Sequence, residues 1–274
     1  MNTINTKRFS TQYGDLEYYQ ALNLNQEVGI LFIHGLAQTK EWFKEQYSKY
    51  NLAKFSWIVP DLLGHGNSAK PKNEFAYSME NQASMLYDLL IEEKINRIVI
   101  IGHSMGGPIA ISLLEQIQNN SNQKTSNIEI LGLFYLEGNL DRGDATFSSK
   151  IAEYSLDEFE TQFESYLLSL FTEFGSSIQS FCDELRVVGP YPLCASCKDL
   201  AHQSYTNELL PRLQKCLQFP VYFVFGEENK GKLSSEDLVK AANLPVIYIP
   251  KVGHDLVLAN PSDFWSLIKE LIPK

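Results

Sequence analysis

Six short runs of apolar residues, rich in β-branched and aromatic types, recur along the chain. They are Val28–Ile33, Phe55–Val59, Arg97–Ile101, Ile130–Leu136, Val221–Phe225 and Val246–Ile249, and each is followed within two residues by a glycine or a proline. The runs are continuous, not alternating. A strand with one wet face alternates apolar and polar residues, whereas a strand covered on both faces does not. Runs of this length therefore predict the strands of a mostly parallel sheet with helices on both sides. Helical patterns fall between most of them. Met79–Lys94 carries Met79, Ala83, Leu86 and Leu90 on one stripe, and Pro108–Gln118 carries Ile109, Leu113, Leu114 and Ile117. Asn260 and Pro261 suit the cap and first turn of a last helix, whose apolar face is Phe264, Leu267, Ile268 and Leu271. Arg8–Tyr13 and Leu16–Tyr19, joined at Gly14-Asp15, predict an opening hairpin. Strand–helix alternation means βαβ units with right-handed crossovers.

The alternation breaks once. From Glu137 to Phe219 there is no good strand, only helical patterns rich in aromatics such as Phe159, Phe163, Tyr166 and Phe171, interrupted at Gly189-Pro190-Tyr191-Pro192. Alternation resumes afterwards. The expected organisation is one core, residues 1–137 and 218–274, with a helical insertion over 138–217. The polar stretch Asn119–Asn127 is expected to be a surface loop.

Composition excludes some classes of function. Lys and Arg number 23 against 33 Asp and Glu, a net charge of −10. Sequence-independent nucleic-acid binding rests on neutralising phosphates, so a nucleic-acid partner is not expected. No apolar run approaches the roughly 20 residues of a membrane-spanning helix. Met1 to Tyr19 lacks the apolar segment of a secretion signal. The expected setting is the cytoplasm, with Cys182, Cys194, Cys197 and Cys216 reduced. Cys194 and Cys197 have C-x-x-C spacing but no second ligand pair, so packing is their expected role and no metal or cofactor is expected.

The chemistry lies where strands end. Gly102-His103-Ser104-Met105-Gly106 matches G-x-S-x-G, between a buried strand and a helix. The turn exposes the Ser104 hydroxyl, and the helix N-terminus favours negative charge as it develops. His34-Gly35-Leu36 ends the first long strand, and the Leu36 and Met105 amides are candidates for an oxyanion hole. Asp61-Leu62-Leu63-Gly64-His65-Gly66-Asn67-Ser68 reads as a shaping turn. A serine nucleophile needs a general base. His254, in Val252-Gly253-His254-Asp255 after the last strand, is best placed, because sites of α/β sheets collect at the C-terminal strand ends.

Taken in order, these motifs resemble the α/β-hydrolase fold superfamily over essentially the whole length. The resemblance implies a mostly parallel, eight-stranded sheet flanked by helices, a helical cap inserted after the sixth strand, and a Ser–His–acid triad with backbone oxyanion donors. One position departs from the family's pattern. The acid commonly stands about three residues beyond the glycine after the penultimate strand, but Gly226 is followed by Glu227, Glu228 and then Asn229. Glu137, directly after the strand Ile130–Leu136, is the first candidate for the acid, and Glu228 is the alternative.

The expected activity is that of a serine esterase or thioesterase acting on a small or medium, apolar acyl group. The aromatic-rich insertion suggests an apolar pocket for it. Carbon–carbon bond hydrolysis or acyl transfer would use the same residues. A receptor-like binding protein with vestigial turnover is the non-enzymatic alternative, and Asn229 is the residue that favours it.

Overall fold

The computed structural model describes residues 3–23, 28–122 and 127–272. The hairpin β1 (Asn5–Thr11) and β2 (Gly14–Ala21) comes first. The alternating part follows as β3 (Val28–Ile33), α1 (Trp42–Lys49), β4 (Ser56–Pro60), α2 (Met79–Glu92), β5 (Arg97–His103), α3 (Gly106–Asn122) and β6 (Glu129–Leu136). Five helices come next: α4 (Thr146–Ala152), α5 (Leu156–Phe174), α6 (Gln179–Val188), α7 (Pro190–Tyr205) and α8 (Leu209–Cys216). The chain then returns through β7 (Val221–Gly226), α9 (Ser234–Ala241), β8 (Val246–Ile249), α10 (Leu256–Ala259) and α11 (Pro261–Leu271).

The eight strands form one sheet in the order β1-β2-β4-β3-β5-β6-β7-β8. β2 pairs antiparallel with β1 and β4, and every other pairing is parallel. From β3 the chain adds β4 on one side and β5 on the other. The reversal opens a crevice above the C-terminal ends of these strands, the place where α/β sheets bind ligands.

The continuous apolar runs have a direct cause. Leu31, Ile33, Ile58, Ile98 and Ile100 point into the layer of α2, α3 and α8. Ile30, Phe32, Trp57, Val59, Val99 and Ile101 point the other way, onto Phe43 and Tyr47 of α1 and Phe264, Trp265 and Ile268 of α11. Neither face meets water, and each such side chain contributes about 1.5–3 kcal/mol by burial.

Three features differ from the sequence reading. α3 continues to Asn122, so residues 119–122 of the expected loop are helical, while 123–126 lie outside the described residues. The helices α1 and α9 have no counterpart in that reading. Each is eight residues long and buries three side chains, too short a stripe to stand out from its polar neighbours. The helices between β6 and β7 also divide by packing. α5, α6 and α7 share a core of their own that includes Phe159, Phe163, Leu167, Cys182, Leu185 and Cys194. In α8, by contrast, Leu209, Leu210 and Leu213 enter the α2–α3 layer. Arg212 of α8 grips Glu115 of α3 at 2.9 and 2.7 Å. The helix nearest the expected boundary at 217 thus sides with the sheet core.

All four cysteines are buried free thiols. No helix among the described residues is long and apolar enough to cross a membrane.

Candidate active site

β5 ends at His103 and α3 begins at Gly106, so Ser104 and Met105 make the turn. Ser104 has φ +51°, a left-handed conformation that costs a residue with a Cβ on the order of 1–3 kcal/mol. Packing enforces it. The Ser104 amide donates to Leu136 O at 3.0 Å, and its carbonyl accepts from the Gly107 amide at 2.9 Å. A Cβ at Gly106 would stand 2.2 Å from the Ile33 carbonyl oxygen, so only glycine lets the helix start this close to β3.

Glu137 leaves β6 with φ +39° and a fully buried carboxylate. Its Oε2 lies 2.8 Å from His254 Nδ1. Its Oε1 accepts the Gly226 amide at 2.7 Å. Asn229 Nδ2 lies 3.1 Å from Oε1 and 2.9 Å from Oε2. Of the two acid candidates, the structure therefore brings Glu137 to His254. Glu228 is exposed, and no hydrogen bond joins it to His254 among the described residues. Glu227 Oε2 instead accepts the Lys251 amide at 3.2 Å.

His254 sits in the loop between β8 and α10, with its side chain 55% exposed. His103 lies beneath it, the two rings 4.9 Å apart. His103 Nε2 is 2.9 Å from the His254 carbonyl oxygen, and its Nδ1 is 2.9 Å from Gln38 Oε1. Burial, with His254 adding to it, pushes the His103 pKa down to about 3. The ring is then neutral and carries one N–H for two acceptor oxygens.

The loop from His34 to Lys40 is held from several sides. Burial lowers the His34 pKa to about 4. Its neutral ring donates from Nδ1 to Gly35 O at 2.7 Å and accepts the Leu62 amide on Nε2 at 3.0 Å, a tautomer assigned from these partners. Gln38 Oε1 accepts the Gly35 amide at 2.9 Å. Asp61 accepts the Lys40 amide and the Lys40 ammonium, each at 2.7 Å, and Glu17 Oε1 lies 2.9 Å from the same ammonium. The Leu36 and Met105 amides donate to no group among the described residues. The segment 61–68 folds around Asp61, which accepts the Asn67 amide at 2.8 Å. A Cβ on Gly66 would come within 2.1 Å of that carboxylate.

Ser104, His254, Glu137 and Leu36 line one cavity of about 370 Å3. Its other apolar walls are Phe147 of α4, Phe181 of α6, Leu200 of α7, and Leu233. No hydrogen bond joins Ser104 to His254 among the described residues; the two meet as walls of this space. Loose catalytic hydrogen bonds are common in free enzymes. Sequence reasoning did not find Lys40, Asp144 or the hold of Asn229 on Glu137. Asp144 also lines the cavity. Burial pushes its carboxyl up to about 6, against hydrogen bonds from the Leu140 amide and the Ser235 hydroxyl, both at 2.8 Å. Lys40 and Asp144 belong to no motif with fixed spacing, and the spacing that marks Asn229 says nothing of its partner.

A model of the alpha/beta hydrolase fold matches residues 29–131. An uncharacterized protein of Mycobacterium tuberculosis is 36% identical over 112 residues, which are 40% of this chain and 31% of that protein. The chain thus spans about a third of the length of the first curated relatives it matches. A Mycoplasma pneumoniae protein named "putative esterase/lipase 1" is 20% identical over 265 residues, 92% of this chain and 93% of that one. Among solved structures, an esterase from Exiguobacterium antarcticum superposes with a TM-score of 0.69 at 15% identity, covering 99% of each chain. With an eight-stranded sheet in this order and a serine turn of left-handed backbone between β5 and α3, the chain has the α/β-hydrolase fold, and its residues 29–131 match that fold's model.

Proposed function

We propose that this protein is a serine hydrolase that cleaves esters of small or medium acyl groups. Ser104 Oγ attacks the acyl carbonyl while His254 takes its proton and passes it to the leaving alcohol. Glu137 fixes the His254 tautomer and stabilises the imidazolium as it forms. The Leu36 and Met105 amides receive the oxyanion. Water, deprotonated by His254, then splits the acyl-enzyme and frees Ser104. Within segment 138–217 the helices α4 to α7 act as a cap whose Phe147, Phe181 and Leu200 close the acyl pocket.

One observation carries this reading. The buried Glu137 carboxylate meets His254 at 2.8 Å on the same cavity that Ser104 enters from its strained turn. The cavity of about 370 Å3 is near the small end of ligand pockets, roughly 300–1,000 Å3, which suits a short acyl group. The names of the esterase/lipase and esterase relatives agree with ester cleavage. The binding-protein alternative rests on Asn229; in the reading proposed here that residue instead supports the acid, its Nδ2 lying 2.9 Å from Glu137 Oε2. A fluorophosphonate probe tests the proposal. Stoichiometric labelling at Ser104, lost in Ser104→Ala and strongly slowed in His254→Ala, is expected; folded wild-type protein that takes no label overturns it.

A further inference from the structure

Beside its apolar walls the cavity is lined by the polar residues Asn139, Asp144, Thr146, Ser148 and Asn229. Two carboxylates, Glu137 and Asp144, face this space, and none of the described residues lining it is a lysine or an arginine. Glu137 is engaged by His254, Gly226 and Asn229. Asp144 is not fully engaged. Its Oδ1 accepts the Ser235 hydroxyl at 2.8 Å, and its Oδ2 accepts the Leu140 amide at 2.8 Å and the Asp141 amide at 3.4 Å. A carboxylate offers about four acceptor positions, and the described residues fill three of those of Asp144. The chain's net charge of −10 adds to the negative field.

We infer that Asp144 sets specificity at this site: the pocket takes an uncharged or cationic acyl part bearing an N–H or O–H donor that reaches Asp144, and it rejects acyl parts that carry a carboxylate. A carboxylate-bearing acyl chain would lose its hydration and meet Asp144 with no cation to offset either charge. An amide N–H placed there would donate to an ionised acceptor, a stronger hydrogen bond than one between neutral groups. This inference rests on the ester-hydrolase reading of Ser104 and deepens it.

The test uses three methyl esters of similar length, followed by proton release near pH 8, where Asp144 is ionised. They are methyl pentanoate, methyl N-acetylglycinate and monomethyl glutarate. The expected kcat/KM for the N-acetylglycine ester is at least about tenfold above that for the pentanoate, and for the glutarate monoester at least about tenfold below it. In Asp144→Asn, which keeps one acceptor oxygen for the Leu140 amide, the glutarate penalty should shrink to less than about threefold. Should that variant fail to fold, the wild-type series decides alone. Glutarate turnover within about threefold of pentanoate, with Ser104 still labelled by fluorophosphonate, overturns the inference and leaves the hydrolase reading standing. No turnover of any ester, together with no labelling of Ser104, overturns both.

Discussion

Asn229 stands where the family's acid is commonly placed, and its Nδ2 contacts both carboxylate oxygens of Glu137, at 3.1 and 2.9 Å. In the triad proposed above the acid stands at the end of β6 instead, in contact with the residue at the family's usual position. This geometry separates the two carboxylates proposed for one role. Glu137→Gln would leave His254 without a counter-charge and free to take the wrong tautomer, and turnover is expected to fall by about 10⁴. Glu228→Gln, on an exposed side chain, should stay within about threefold of wild type. Rates on a chromogenic short-chain ester check this. Equal losses in the two variants would remove Glu137 from the mechanism.

Asn229→Asp would put a second carboxylate against Glu137, and two such groups this close raise the second pKa of the pair strongly, so both do not ionise at neutral pH. One proton is retained by the pair, so His254 loses part of its support at neutral pH. Turnover is expected to fall at least about tenfold, with the lost activity returning as pH rises and the pair fully ionises. The double variant Glu137→Gln/Asn229→Asp restores a single carboxylate beside His254 and should exceed Glu137→Gln alone. A pH–rate profile identical in shape to wild type would contradict the contact.

The sheet was legible because its signal is redundant. Ile30 and Phe32 face one helix layer and Leu31 and Ile33 the other, so the apolar run is the direct imprint of two-sided burial. Ser104 and His254 were legible because the backbone around each is constrained by glycines at fixed spacing. The hold of Asn229 on Glu137 and the setting of Asp144 were not, because they come from pairings across 92 and 91 residues, Asn229 with Glu137 and Asp144 with Ser235. Long-range partners of that kind leave no periodicity. Segment 119–122 misled because polar Asn and Ser residues suit a loop, yet there they extend a helix whose buried face lies further back along α3.

Lys40 is the third such residue, and it yields a prediction about stability. Its ammonium is fully buried between Asp61, at 2.7 Å, and Glu17, at 2.9 Å. Burial alone would lower the Lys40 pKa, but the hydrogen bonds that the ammonium donates to these carboxylates outweigh it and raise it, so the charge persists. Lys40→Met would leave the Asp61 carboxylate buried and unpaired, at an expected cost of about 3–5 kcal/mol. A drop of roughly 10 °C in melting temperature follows for a chain of this size. Adding Asp61→Asn removes the orphaned charge and should recover part of the loss, although Asp61 also accepts the Lys40 and Asn67 amides. A melting temperature unchanged in Lys40→Met would mean that the buried charge pair does not hold the loop.

Three buried histidines should make stability depend on pH. Burial pushes the folded-state pKa values of His34, His65 and His103 down to about 4, 3 and 3. An unfolded histidine titrates near 6.5. As pH falls below about 6.5, the unfolded chain takes up protons that the native state refuses, and stability falls. The effect continues until the native rings protonate, near pH 4 to 3. Each histidine contributes up to about 1.4 kcal/mol per pH unit. Asp144 opposes them, since its raised native pKa of about 6 makes the folded state the better proton acceptor below that value. The net loss between pH 8 and 5.5 is expected to be about 3 kcal/mol, read as a fall in the urea midpoint at constant slope. His65→Gln cannot titrate, so it should lessen that fall by about 1.4 kcal/mol, whatever it does to stability at pH 8. His65 is the informative choice because it sits outside the cavity, with Nδ1 donating to Leu63 O at 3.2 Å and Nε2 unpartnered among the described residues. A midpoint that does not move between pH 8 and 5.5 would show that these rings are not held neutral.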